Sequence, residues 1–450
     1  RDATWLAIGA SIFASNIGSE HLIGLAGAGA SSGMAMAHWE IQGWMILILG
    51  WVFVPFYTRS MVYTMPEFLE RRYNPQSRTI LSVISLVSYV LTKVAVTVYA
   101  GGLVFQQVFG IKELWGIDFF WIAAIGLVVL TALYTIFGGM KSVLYTSVLQ
   151  TPILLLGSLI ILVLGFKELG GWDEMMRVCG AVTVNDYGDT MTNLIRSNDD
   201  ANFPWLGALI GSAIIGFWYW CTDQFIVQRV LSGKNEMEAR RGTIFGAYLK
   251  LLPVFLFLIP GMIAFALHQK YIGAGGEGFL PMLENGTANA DAAFPTLVAK
   301  LLPAGVKGLV VCGILAALMS SLASLFNSSA MLFTIDFYKR FRPQTSEKKL
   351  VGIGQVATVV IVILGILWIP IMRSVGDVLY TYLQDVQSVL APGIAAAFLL
   401  GICWKRTSAQ GGMWGLISGM VIGLTRLGAK VYYSMQVKWQ ILHSNICSMI

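Results

Sequence analysis

Five ionisable side chains, Glu20, Glu40, Lys93, Asp223 and Lys250, lie inside apolar stretches of this sequence of 450 residues. A charge held in hydrocarbon is costly, so such groups pair with one another, bind an ion or contact a polar solute. Lys93 and Asp223 are explained simply as a buried structural pair or as side chains reaching for an interface, because Asp223 is near the end of its stretch. Glu40 and Lys250 sit deeper and point to a site. Around them are three further features. The segment Ala14-Ser15-Asn16-Ile17-Gly18-Ser19-Glu20-His21 puts polar and small residues in an apolar run, and a helix that breaks there frees backbone carbonyls, which is tolerated only where they line a cavity. In Ala316–Ser324 the adjacent Ser320 and Ser321 present hydroxyls to neighbouring faces. Two hydroxyls with three carbonyls would form a neutral oxygen cage, suited to a monovalent cation rather than a divalent one. The simpler alternative is that each serine bonds a carbonyl one turn back. Finally, Phe217-Trp218-Tyr219-Trp220 is too deep for an interfacial belt. With His21, Glu40, Lys250 and Gln384 it suits a neutral polyhydroxylated ligand, whose ring faces stack and whose hydroxyls take directed hydrogen bonds.

The elements that position these residues are membrane helices. Hydrophobic residues make up 56% of the chain and charged residues 12%, with a mean hydropathy of +0.71; soluble proteins carry roughly 25% charged residues. A soluble enzyme, a disordered chain and a fibrous protein are excluded. Apolar stretches near 5–27, 33–57, 79–108, 118–137, 143–166, 204–228, 243–268, 304–334, 350–371, 378–403 and 411–428 are candidate spans. The net charge of +6 comes from Lys and Arg clustered between them, which encodes topology and not nucleic-acid binding. Sixteen basic residues fall in even-numbered loops and eight in odd-numbered ones. The start of the chain and the even loops are therefore expected to be cytoplasmic, and the long connections 167–203 and 269–303 external. The sequon Asn285-Gly286-Thr287 falls in the latter. The first residues run straight into an apolar segment, so no cleavable leader is expected. Five cysteines suggest no disulfide framework, and Cys221, Cys312 and Cys403 read as small apolar residues. No metal motif, phosphate loop or nucleophile triad is visible.

Spans 1–5 and 6–10 are equal in number and enter from opposite sides, which is the arithmetic of an inverted repeat. The expected organisation is a first repeat over 1–166, an external loop over 167–203, a second repeat over 204–403, and an additional span and tail over 404–450.

On these residues the sequence resembles the sodium/solute symporter family, in its sodium–sugar cotransporter branch. The likeness is carried by Ala14–Ser19, Thr64-Met65-Pro66-Glu67-Phe68-Leu69, Tyr134–Ser142, Trp218–Gln224, Ser320-Ser321-Leu322-Ala323-Ser324 and Trp404-Lys405-Arg406. It implies an all-α integral membrane protein, a leucine-transporter-like bundle of five plus five helices with an additional C-terminal span, working by alternating access. By matching positions it implies a sodium site made of the carbonyls of Ala14, Ile17 and Ala317 and the hydroxyls of Ser320 and Ser321. It implies a sugar site of Asn16, His21, Glu40, Trp220, Lys250 and Gln384, with Tyr219 as inner gate and Tyr380 as outer gate. Ser147 stands where some members carry an Asp, which favours one sodium per sugar. His21 and Gly216 depart from the bacterial galactose pattern, which has Gln and Asn there. The family usually has one helix ahead of the first core span and more after the tenth than this sequence holds.

The expectation is a plasma-membrane (in bacteria, inner-membrane) symporter that is not an enzyme. It would import sodium with a sugar of the glucose or galactose type, with membrane lipid as its surroundings and no protein or nucleic-acid partner. The alternatives are a sodium-coupled carrier of another polyol such as myo-inositol, and a sodium-dependent channel or sensor without uphill transport.

Overall fold

Long apolar windows can satisfy their backbone in lipid only as helices, and helices dominate the structure. The computed structural model describes the backbone of residues 2–18, 20–200, 202–283, 286–375 and 379–447, and all side chains among these except those of 91, 134, 136–147, 149, 150, 370–382, 384, 385, 430, 431 and 434–447. Among the described residues eight helical runs are long and apolar enough to cross a membrane: Glu20–Ser60, Pro75–Phe109, Thr151–Leu169, Trp205–Thr222, Glu236–Gly273, Ala304–Phe341, Glu347–Ile369 and Val386–Cys403. Trp5–Asn16 and Phe119–Leu133 are shorter apolar helices.

The first span breaks within the expected segment, and two other boundaries differ from the expectation. The first span is divided: an α-helix ends at Asn16 and helix resumes at Glu20. Spans 4 and 5 lie in one helical run, Phe119–Leu169, although 138–142 reads as a break. Two adjacent glycines weaken a helix by about 1 kcal/mol each but do not end it without a cap or a proline. The eleventh expected span falls within the helix Ala409–Cys447, where Gly411, Gly412, Gly415, Gly419, Gly423 and Gly428 dilute the hydropathy.

A second interruption was not expected. The helix Trp205–Gly216 passes into a wider π-helical segment, Phe217–Thr222, and stops at Asp223, whose ψ of 128° is extended. Asp223 then caps a new helix, Gln224–Val230, its carboxylate accepting from the Phe225 N–H. The two interruptions are five spans apart and both face the same interior. π-helical turns also carry His21 (Glu20–Leu25) and Lys93 (Tyr89–Val94); such turns recur at functional sites because they re-aim side chains.

Loop chemistry fixes the ends. Thr64 caps Met65–Arg72 through its hydroxyl at 3.2 Å from the Glu67 N–H, and Asn74 caps Pro75–Ser88 at 2.8 Å from the Ser77 N–H. A small hairpin pairs Glu113–Leu114 with Ile117–Asp118 through Trp115 and Gly116, both at positive φ. Spans 1 and 7 pack through small residues: a Cβ at Gly9 would lie 2.8 Å from the Gly242 carbonyl oxygen.

Candidate functional site

The broken first span delivers two groups to the interior, Asn16 at the end of one half and His21 at the start of the other. Spans 2 and 7 deliver Glu40 and Lys250. All four are buried. The Lys250 ammonium lies 2.6 Å from Glu40 Oε2 and 2.6 Å from His21 Nε2. His21 Nε2 is 3.1 Å from Glu40. Lys250 also lies 5.6 Å from the Trp220 ring centroid, within cation–π range. One lysine and one carboxylate leave this cluster without net charge.

The cluster encloses a cavity of about 20 Å³, lined also by Asn16, Glu20, Trp39, Gln42, Tyr219, Trp220 and Gln387. That is room for a single water. Small-molecule sites measure about 300–1,000 Å³, so a six-membered ring would enter only with movement of the surrounding spans. Among the described residues, three polar atoms in the lining are buried with no hydrogen-bond partner: Asn16 Oδ1, His21 Nδ1 and Gln42 Oε1. Buried polar atoms are nearly always paired. Three unpaired atoms around one cavity make it a candidate for a polar guest, a single water included.

Tyr219 forms a wall of the cavity. Its hydroxyl accepts from Asn16 Nδ2 at 2.8 Å and its ring meets Trp220 edge-on with centroids 4.9 Å apart. The structure thus brings together Asn16, His21, Glu40, Trp220, Lys250 and Tyr219. Gln384 and Tyr380 belong to side chains outside the described residues, as do Ser147 and Asn285. The sequence reading did not assign Glu20, Trp39, Gln42 or Gln387 to the site. Their signal was present: Trp39 and Gln42 flank Glu40, and Gln387 is one helical turn beyond Gln384.

On the far side of the break the first span meets the eighth, Ala304–Phe341. Ala14, Ile17, Ala317 and Ser320 are fully buried and Ser321 nearly so. The Ser321 hydroxyl donates to the Ser15 carbonyl at 2.9 Å, a carbonyl outside the expected set. Gly18 makes this approach possible, since a Cβ there would lie 2.5 Å from Ser321 Oγ. The serine ladder continues with Ser324 Oγ donating to the Ser320 carbonyl at 2.7 Å. The structure therefore sets the Ser321 hydroxyl of the eighth span against the freed end of the first helix.

Lys93 and Asp223 form a separate cluster. The ammonium is 2.5 Å from Asp223 Oδ2, and Oδ1 accepts from the Tyr89 hydroxyl at 2.6 Å and the Phe225 N–H at 3.0 Å. The Lys93 ammonium also lies over the rings of Phe225 at 4.2 Å and Tyr219 at 4.5 Å. This is a closed structural pair, one of the two simple alternatives the sequence left for each residue, with a partner the sequence did not name.

The sequence profile of the sodium:solute symporter family matches residues 1–419. The sodium/myo-inositol cotransporter 2 of Homo sapiens is 39% identical over 439 residues, covering 95% of this chain and 64% of the relative. The sodium/myo-inositol cotransporter of Canis lupus familiaris is 39% identical over 449 residues, covering 95% and 62%. The chain therefore spans a little under two thirds of the length of these curated relatives. Among solved structures, a substrate-bound, outward-open sodium-coupled sialic acid symporter superposes with a TM-score of 0.73 at 22% identity, covering 94% of this chain and 89% of the other. The transporter MhsT in complex with L-phenylalanine superposes with a TM-score of 0.59 at 12% identity, covering 96% and 99%. These likenesses show the leucine-transporter-like fold.

Proposed function

The chain belongs to the sodium:solute symporter family, and we propose that it couples sodium entry to the uphill import of a neutral, polyhydroxylated six-membered-ring solute. The observation that carries this reading is the self-paired Lys250–Glu40–His21 cluster with its three unpartnered polar atoms. A solute's hydroxyls would replace the internal bonds of the cluster and complete those atoms, with Trp220 and Tyr219 against the ring. Neutrality of the cluster favours a neutral guest over a carboxylate. Among candidate solutes myo-inositol comes ahead of glucose and galactose, because relatives named as sodium/myo-inositol cotransporters align over nearly the whole chain.

Sodium would bind between the first and eighth spans, using carbonyls of Ala14, Ile17 and Ala317 and the hydroxyls of Ser320 and Ser321. Bound there, it would pin the freed end of the first helix, and with it Asn16 and His21, in the arrangement that receives the solute. Coupling needs only that sodium prefer one conformation. When the two spans separate, the oxygen cage loosens, sodium leaves, and the solute passes Tyr219. A membrane potential contributes about 2.3 kcal/mol per charge per 100 mV. No covalent step is involved. The setting is the plasma membrane, with the start of the chain and the even loops cytoplasmic and the segments 1–166 and 204–403 as the two inverted repeats.

The test is uptake of labelled myo-inositol, glucose and galactose by proteoliposomes under an inward sodium gradient, with potassium and collapsed-gradient controls. Transient accumulation above equilibrium in sodium alone is expected, greatest for myo-inositol. Flux that only equilibrates would replace the symporter with a channel.

A further inference from the structure

We infer that Gln42, with the side-chain-free position Gly216 opposite it, forms a further solute-reading subsite of the cavity. This rests on the transport function proposed above and names a specificity residue within that site.

Gln42 is 9% exposed, and its Oε1 is buried without a partner. Its position follows from local winding. Residues 42–44 form a tight 3₁₀ turn, Gln42–Trp44, continuing the helix Ala37–Ile41. Trp39, one turn earlier in the preceding α-helix, and Gln42 both face the cavity. Across from it, a Cβ on Gly216 would lie 2.8 Å from Gln42 Oε1 and 3.2 Å from Met45 Cγ. The amide of span 2 therefore takes the room that a side chain on span 6 would need, and the polar group that reads a solute here comes from Gln42. An amide sets one acceptor beside two donors, the complement of two adjacent ring hydroxyls.

Gln42 has a second boundary. Beyond it lies a larger cavity of about 330 Å³, lined among others by His38, Trp44, Arg196 and Phe203. Among the described residues Gln42 is the one side chain common to the linings of both. That second space is an outer crevice, with Ile41, Trp44, Trp205 and Leu209 exposed along it, so Gln42 is the polar wall between it and the Lys250 cluster.

The experiment compares the full chain with Gln42→Met, Gln42→Asn, Gly216→Asn and the double variant Gln42→Gly with Gly216→Asn, in proteoliposomes. Uptake of myo-inositol, glucose and galactose is measured together with the sodium concentration for half-maximal rate. Gln42→Met keeps the volume and removes the hydrogen bonds. It is expected to lower kcat/KM for the preferred solute about 3- to 10-fold, the value of one or two neutral hydrogen bonds, and to narrow the ranking of the three solutes, with sodium dependence unchanged. Gly216→Asn alone should do comparable damage by crowding the amide, and the double variant, which moves the amide from span 2 to span 6, should recover selectivity. Unaltered ratios in Gln42→Met would overturn the inference while leaving the proposed function intact. Failure of the unmodified chain to accumulate any of the three solutes would overturn the function, and the inference with it.

Discussion

Two buried charge clusters share this interior, and they are built differently. The Lys93–Asp223–Tyr89 cluster is closed: each carboxylate oxygen has a partner, the ammonium is paired and covered by aromatic faces, and Asp223 also caps a helix. The Lys250–Glu40–His21 cluster is open: it borders a cavity and leaves three polar atoms in the lining unpartnered. Both contain a lysine, a carboxylate and a third polar group. Charge burial alone therefore does not mark a candidate solute site. Incomplete satisfaction around a space does, because protein groups normally pair with one another unless something else completes them.

The largest expected effect tests the closed cluster. Lys93→Ala leaves the buried Asp223 carboxylate without its counter-charge, with only the Tyr89 hydroxyl and the Phe225 N–H beside it, and should destabilise the fold by about 3–5 kcal/mol, read as a lowered midpoint of thermal unfolding in detergent. Lys250→Ala should cost less stability, because His21 remains beside Glu40 and the adjoining cavity admits water. Equal losses in the two variants would break the comparison.

The second effect reverses the order. Lys250→Ala should reduce sodium-driven solute uptake by roughly 10- to 150-fold in kcat/KM, the range of a hydrogen bond made by a charged group at about 1.5–3 kcal/mol. Wild-type uptake by this variant would remove Lys250 from solute binding.

Much of this was legible in the sequence, for a physical reason. Lipid allows so few polar residues that Glu40, Lys250, Asn16 and His21 announce themselves against an apolar background, and the small polar run at 14–21 marked the break. The interruption at Asp223 was not read. Its only local signal is an acidic residue that could cap a helix, and Asp223 looked equally like an interfacial charge. Gln42 and Gln387 were also missed: an uncharged amide in a span costs less than a charge and so stands out less. The pairing of Lys93 with Asp223, 130 residues apart, is a tertiary fact that no local pattern encodes.

The third test lies on the sodium side. Ser321→Ala removes the hydroxyl that holds the Ser15 carbonyl at 2.9 Å and a proposed sodium ligand. One such bond is worth about 1 kcal/mol, so the sodium concentration for half-maximal uptake should rise about fivefold, with solute ranking unchanged. An unchanged sodium requirement would remove the serine from the cage.

The smallest effect is the sharpest, because Tyr219 belongs to both clusters. Its hydroxyl accepts from Asn16 beside the open cavity, while its ring lies 4.5 Å from the Lys93 ammonium of the closed pair. Tyr219→Phe removes the first contact and keeps the second. The Asn16 amide can then bond a water in the adjoining cavity, so the change should speed solute release a few-fold with little change in the unfolding midpoint. Tyr219→Ala removes the ring as well, and with it a cation–π contact worth about 0.5–2 kcal/mol, so it should lower stability in addition to speeding release. Release rates measured by solute efflux from preloaded vesicles, set against thermal midpoints, separate the two roles. If Tyr219→Phe lowers stability as much as Tyr219→Ala does, the two clusters act as one structural unit and the distinction between open and closed fails at the residue that joins them.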